Sequence, residues 1–216
     1  MKEGSNLTNR PLILFDWDGT LADSMALCVA EVKAALARMG LPNPGDAVIR
    51  QCNGPSIQQS LPILGIPQER CEEYLTARLQ ACHTLCPQLL RLYDGVPAML
   101  EAIGERATLC IVSNGAAAYL DRCREVFHLD ERFSRIVPFH PGRTKAQSVA
   151  VLLKETRPVR AVMVGDRQGD ILAGKSNGLP TLCAAYGYGA PEEWALADRT
   201  ARDVPELAQM LAEWVE

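Results

Sequence analysis

No stretch of this 216-residue chain is apolar over anything close to the ~20 residues that a membrane-spanning helix needs. Basic residues are also in short supply, with 22 Lys and Arg against 26 Asp and Glu and a formal net charge of −4. They form no cluster, which argues against a nucleic-acid groove or a membrane-surface patch. Residues 1–10 are polar and lack the apolar centre of a secretion signal, so a cytoplasmic protein is expected. Internal repeats and low-complexity tracts are missing as well. The eight cysteines lack the paired spacing of a disulfide scaffold, and a chain this long needs no such staple, so reduced thiols are expected. Cys82 and Cys86 flank His83, but no second ligand pair follows at zinc spacing, and packing on one helix face is the better reading. What remains is an ordinary globular composition, 48% hydrophobic and 22% charged, long enough for one large core and a smaller accessory domain.

Short unbroken apolar runs recur at Leu12-Ile13-Leu14-Phe15, Leu109-Cys110-Ile111-Val112 and Ala161-Val162-Met163-Val164, with a weaker one at Thr181-Leu182-Cys183-Ala184. Such runs suit strands buried on both faces of a parallel sheet. Helical patterns follow near 116–127, 145–155, 170–177 and 204–214. This alternation predicts a three-layer α/β/α, Rossmann-like parallel sheet core. From 24 to 92 the texture is helical throughout. Met25, Val29, Val32, Leu36 and Met39 form one stripe, with Asp23 or Ser24 as N-cap and Gly40 as stop. Cys71, Leu75, Arg78/Leu79, Cys82 and Leu85/Cys86 form a second, broken before Pro87. The expected organisation is an α/β catalytic core over 1–21 and 93–216, interrupted by an all-helical domain over 22–92.

Ligands gather at the carboxyl ends of strands in open α/β sheets, and three of these runs end in Asp16, Ser113 and Gly165-Asp166. Packing alone leaves that shared placement unexplained. In Asp16-Trp17-Asp18-Gly19-Thr20-Leu21, strand alternation sends Asp16 and Asp18 to one side and Gly19 allows a sharp turn. Two carboxylates so placed repel, so one must bind a cation or keep a proton. Each element alone has a bland reading: Asp-Gly or Ser113-Asn114-Gly115 as a turn, Lys145 as a surface lysine, Asp166 and Asp170 as a cap and a first-turn acid. Their joint occurrence after strands favours a site.

Asp16-Trp17-Asp18-Gly19-Thr20-Leu21-Ala22-Asp23-Ser24 resembles the first motif of the haloacid-dehalogenase-like hydrolases. Ser113-Asn114-Gly115 resembles the second, Lys145 the third, and Gly165-Asp166-Arg167-Gln168-Gly169-Asp170 the fourth, acidic one. The helical insert is similar to the cap of the phosphoglycolate-phosphatase-like and β-phosphoglucomutase-like branch. The resemblance implies a phosphatase in which Asp16 attacks phosphorus to form an aspartyl-phosphate and Asp18 serves as general acid and base. It implies Thr20, Ser113, Asn114, Gly115 and Lys145 around the phosphate. Mg²⁺ would be held by Asp16, Asp166, Asp170 and, through its backbone carbonyl, Asp18; Asp170 would hold a metal-bound water or orient Lys145. Ala146 stands where the family carries proline, and Arg143 is an alternative cation. The stretch Arg50-Gln51-Cys52-Asn53-Gly54-Pro55-Ser56 resembles the cap loop, making Asn53, Gly54, Ser56 and Gln58 candidate leaving-group contacts, with ordinary loop roles equally open. The Tyr186-Gly187-Tyr188-Gly189 turn resembles a family feature without an assignable role. A second acid at Asp18 favours phosphate ester chemistry over dehalogenation. The alternatives are a sugar phosphomutase and a catalytically idle regulatory or binding protein. The expected partner is a small phosphorylated metabolite, with no nucleic acid and no membrane, and the expected state a monomer, or else a weak homodimer.

Overall fold

The computed structural model describes residues 9–53, 55 and 57–216; Gly54 and Ser56 lie outside the described residues. Strand β1 (Leu12–Phe15) leads to the two-residue β2 (Ala22–Asp23) and then to four helices, α1 (Met25–Arg38), α2 (Asp46–Arg50), α3 (Ile57–Ile63) and α4 (Cys71–Leu89). The chain returns through β3 (Arg91–Leu92), α5 (Val96–Gly104), β4 (Thr108–Val112) and α6 (Ala117–Phe127). It continues through β5 (Arg135–Val137), α7 (Lys145–Thr156), β6 (Ala161–Gly165) and α8 (Gln168–Lys175). It closes with β7 (Thr181–Ala184), α9 (Pro191–Trp194), β8 (Arg199–Ala201) and α10 (Val204–Val215).

Six strands form one parallel sheet in the order β5-β4-β1-β6-β7-β8. Alternation along β1 splits its apolar residues between two layers. Ile13 and Phe15 pack with Met99 and Ile103 of α5 and Leu207 and Leu211 of α10. Leu12 and Leu14 pack with Val149 and Leu152 of α7 and Ala173 of α8. The three-layer α/β/α arrangement follows directly from that period of two. Strand register pairs Phe15 with both Ile111 and Val164, so Asp16, Ser113 and Asp166 emerge at the same end of three adjacent strands.

Four points correct the expectations. The sheet has two further strands, β5 and β8, which are its edges; each has three residues and begins with arginine, too short and too polar to show as a buried run. A two-stranded ribbon pairs Ala22 with Leu92 and Asp23 with Arg91, so β3 falls within the stretch expected to be wholly helical. Helix α4 does not break before Pro87 but runs on to Leu89. Proline cannot donate to the His83 carbonyl one turn back, and the Arg122 guanidinium of α6 takes that acceptor at 3.1 Å. Finally, the second apolar stripe is only partly a packing face. The residues of α4 buried in the core are Tyr74, Ala77, Cys82 and Cys86, and of the stripe Cys71, Leu75, Leu79 and Cys82 line a cavity.

Helices α1–α4 share an apolar cluster of their own, built on Val32, Leu36, Ile49, Leu61 and Tyr74, while Leu27, Cys82 and Cys86 join the cluster around the sheet. Among the described residues no helix is long and apolar enough to cross a membrane.

Candidate active site

A cavity of about 500 Å³ lies between the carboxyl ends of the strands and helices α1, α3 and α4. Asp16, Asp18, Ser113, Asn114 and Gly115 line it on the side of the sheet, and Leu27, Glu31, Leu75, Arg78 and Leu79 on the side of the helices.

Asp16 follows β1 directly, its N–H donating to the Val164 carbonyl at 2.8 Å. Lys145 is set at the first position of α7 by a capping box, in which the Thr144 hydroxyl accepts the Gln147 N–H and the Gln147 side chain accepts the Thr144 N–H. From there its Nζ donates to Asp16 Oδ1 at 2.8 Å and to Asp170 Oδ1 at 2.5 Å. Asp170 sits in the first turn of α8 with its other oxygen accepting the Arg167 N–H at 3.1 Å. Asp166 follows β6 and accepts the Tyr188 N–H at 2.6 Å and the Thr20 hydroxyl at 3.4 Å. That contact accounts for the Tyr-Gly-Tyr-Gly turn. A Cβ at Gly187 would strike the Gly19 carbonyl and Asp166, and one at Gly19, which has φ +83°, would strike the Asp166 carboxylate.

Ligand oxygens of Asp16, Asp166 and Asp170 all lie within 4.8 Å of one another, and all three residues are buried. Burial, and then the Asp170 charge, push the Asp16 carboxyl up to about 7, with Lys145 pulling it back. Burial, then Asp16 and Asp170, drive Asp166 well above the usual carboxylate range. Burial opposes the Lys145 charge, yet Asp16 and Asp170 outweigh it and its pKa rises. Three carboxylates against one ammonium leave an excess of negative charge in a buried place, and their oxygens are the donor set that a hard divalent cation takes.

Asp18 stands apart from that cluster. Its Oδ1 accepts the Tyr119 hydroxyl at 2.7 Å. Burial raises its pKa, while hydrogen bonds from Ser24 and Tyr119 act against the rise. Ser24 in turn accepts the Asn53 amide at 3.4 Å, and the Asn53 carbonyl accepts Arg167 at 3.2 Å.

The structure brings Asp16, Asp18, Ser113, Asn114, Gly115, Asn53 and Gln58 to the cavity wall. The Ser113 Oγ accepts the Gly115 N–H at 3.0 Å. Thr20 is fully buried, and its hydroxyl is spent on Asp166. Lys145, not Arg143, reaches the carboxylates. Sequence reasoning missed Tyr119 and Glu31, took Arg78 only as part of the second stripe, and gave Ser24 a capping role and the last place of the first motif. The Ser24 side chain makes no cap bond to α1; the Tyr188 hydroxyl instead accepts the N–H groups of Ser24 and Met25. A usable signal existed for Tyr119, which lies six residues beyond Ser113 on the helix that starts at the site.

Comparison with known proteins adds a family. The haloacid dehalogenase-like hydrolase model matches residues 13–184. The 5'-nucleotidase of Pseudomonas aeruginosa is 28% identical over 210 residues, covering 93% of this chain and 95% of that protein. The tyrosine-protein kinase PtkA of Mycobacterium tuberculosis is 27% identical over 208 residues, covering 94% of this chain and 70% of that one. A predicted phosphatase from Clostridium acetobutylicum superposes with a TM-score of 0.82 at 23% identity, over 95% of this chain and all of that one.

Proposed function

The chain belongs to the haloacid dehalogenase-like hydrolase family, and from that premise we propose that it is a Mg²⁺-dependent phosphatase that cleaves a small phosphorylated metabolite through an aspartyl-phosphate on Asp16. The observation that carries this reading is the split between Asp16, clustered with two carboxylates and Lys145, and Asp18, held apart by hydroxyls. Two acids in such different surroundings suit two different tasks.

In the first step an oxygen of Asp16 bonds to phosphorus, the ester P–O bond breaks, and Asp18 gives its proton to the departing oxygen. In the second, water attacks phosphorus as Asp18 takes its proton, and the bond to Asp16 breaks. Ser113 and the backbone amide of Asn114, just ahead of α6, receive the phosphate oxygens, and the Gly115 amide joins them by giving up its bond to Ser113. Lys145 holds the Asp16 oxygen in place and offsets charge as it develops. Mg²⁺, held by Asp16, Asp166, Asp170 and the Asp18 carbonyl, would neutralise the repulsion between carboxylate and phosphate. Tyr119 holds the proton-carrying carboxyl of Asp18 in one orientation.

Residues 22–92 act in this reading as a cap on the core of 1–21 and 93–216, excluding bulk water in the first step and admitting one molecule in the second. Their separate apolar cluster and the β2–β3 ribbon at the crossing support that division. Sugar phosphomutase action is the second reading: a mutase must hold a sugar in two orientations, and Asn53, Gln58, Ser60 and Thr76 are the uncharged polar residues of the wall that such a sugar would use. The eight free cysteines suit the cytoplasm, and the reading takes the protein as a monomer. The test is phosphate release from a panel of phosphorylated metabolites. Activity with Mg²⁺ that EDTA abolishes supports the proposal; an unchanged rate after EDTA overturns it.

A further inference from the structure

The helical wall of the cavity limits what can leave. Resting on the phosphatase reading above, we infer that the substrate is a monoester of an uncharged alcohol with an extended apolar face, and that the Glu31–Arg78 pair rejects alcohols carrying a carboxylate or a second phosphate. Leu27, Ile57, Leu75 and Leu79 are the large apolar side chains of this wall, beside Ser24, Asn53, Gln58, Ser60 and Thr76. Leu75 is 37% exposed although it belongs to an apolar stripe, as expected of a surface kept for an apolar ligand. A two-carbon alcohol would leave most of the ~500 Å³ unfilled.

Charge supplies the exclusion. Apart from Asp16 and Asp18, the only acidic or basic side chains lining the cavity, among the described residues, are Glu31 of α1 and Arg78 of α4. They form an ion pair with each other, the Glu31 side chain 6% exposed and that of Arg78 25%. The guanidinium also lies 5.6 Å from the Tyr74 ring centroid. An anionic leaving group would find the one cation already neutralised and a buried carboxylate beside it, so it would be desolvated without compensation. An uncharged hydroxyl or amide loses little there, because the pair presents an acceptor next to donors.

The experiment uses the purified protein with Mg²⁺ and a matched pair, phenyl phosphate and 4-carboxyphenyl phosphate. The expected kcat/KM for phenyl phosphate is about tenfold higher or more. Glu31→Gln frees the Arg78 charge and should narrow that ratio about fivefold or more through a gain on the carboxylated ester. Arg78→Gln leaves Glu31 alone and should widen it. A pair that only braces α1 against α4 would not move the ratio in opposite directions. Thermal unfolding identifies any variant that fails to fold, and the wild-type ratio decides the question in that case. Equal turnover of both esters, or preference for the carboxylated one, overturns this inference and leaves the phosphatase reading standing. No turnover of phenyl phosphate when another ester of the panel is cleaved overturns this inference alone, and no turnover of any ester overturns both.

Discussion

At the strand end of the cavity three buried carboxylates face one ammonium, while on the helical wall one carboxylate faces one guanidinium. The first is buried and the second partly so, yet it is their charge balance that sets their consequences apart. The pair of Glu31 and Arg78 closes its own charge account, so a ligand must match it without bringing charge. The trio of Asp16, Asp166 and Asp170 cannot balance with Lys145 alone, and burial together with their mutual repulsion raises Asp16 to about 7 and holds Asp166 well above the usual carboxylate range. An unbalanced cluster asks for a cation. A balanced pair asks for a neutral group.

The largest way to break this contrast is Asp16→Asn, which keeps the shape and removes the attacking charge. It should lower kcat by about 10³-fold or more in a Mg²⁺ phosphate-release assay, with the fold intact by circular dichroism. Lys145→Met makes the strand end more unbalanced still, leaving Asp16 and Asp170 without their shared donor. A loss of about 10²- to 10³-fold in kcat is expected, against a smaller change in KM. Tyr119→Phe tests how Asp18 is held, and about a tenfold loss is expected on alkyl phosphates, measured as kcat. The loss should shrink on 4-nitrophenyl phosphate, whose leaving oxygen needs little help from a proton.

The smallest effect concerns stability. Folding raises the Asp16 pKa from 3.8 to about 7, so between those values the folded state keeps a proton that the unfolded chain has lost. Protons bound in excess by the folded state make stability fall as pH rises, by at most about 1.4 kcal/mol per pH unit for one such group. Asp166 adds to the same trend. In the proposed reading Mg²⁺ takes the place of those protons, so it should raise the unfolding midpoint by a few degrees more at pH 8 than at pH 5. Equal shifts at the two pH values in a thermal melt would count against the cluster as the metal site.

The two ends also differed in how far the sequence disclosed them. Asp16, Ser113 and Asp166 were legible because each closes an apolar run, and a parallel sheet turns shared run ends into shared space. The edge strands β5 and β8 carry no such run and went unseen. The helical wall was opaque for another reason. Glu31 and Arg78 lie 47 residues apart on different helices, and no local pattern says that two surface-looking charges will meet in a wall. The stripe through Leu75 and Leu79 was visible, but periodicity alone does not separate a face that meets protein from one that meets a ligand. Tyr119 was hidden similarly, its partner Asp18 lying 101 residues away.

The central claim is that the unbalanced strand end makes Asp16 the atom-bearing nucleophile. Quenching the enzyme with borohydride during turnover of a phosphate ester, followed by peptide mass spectrometry, tests it most directly. An aspartyl-phosphate is reduced to homoserine, whereas a free carboxylate is not. The account predicts homoserine at position 16, in a yield that vanishes without Mg²⁺ or in Asp16→Asn. Steady phosphate release with aspartate intact at 16, or homoserine at Asp18 instead, would contradict it.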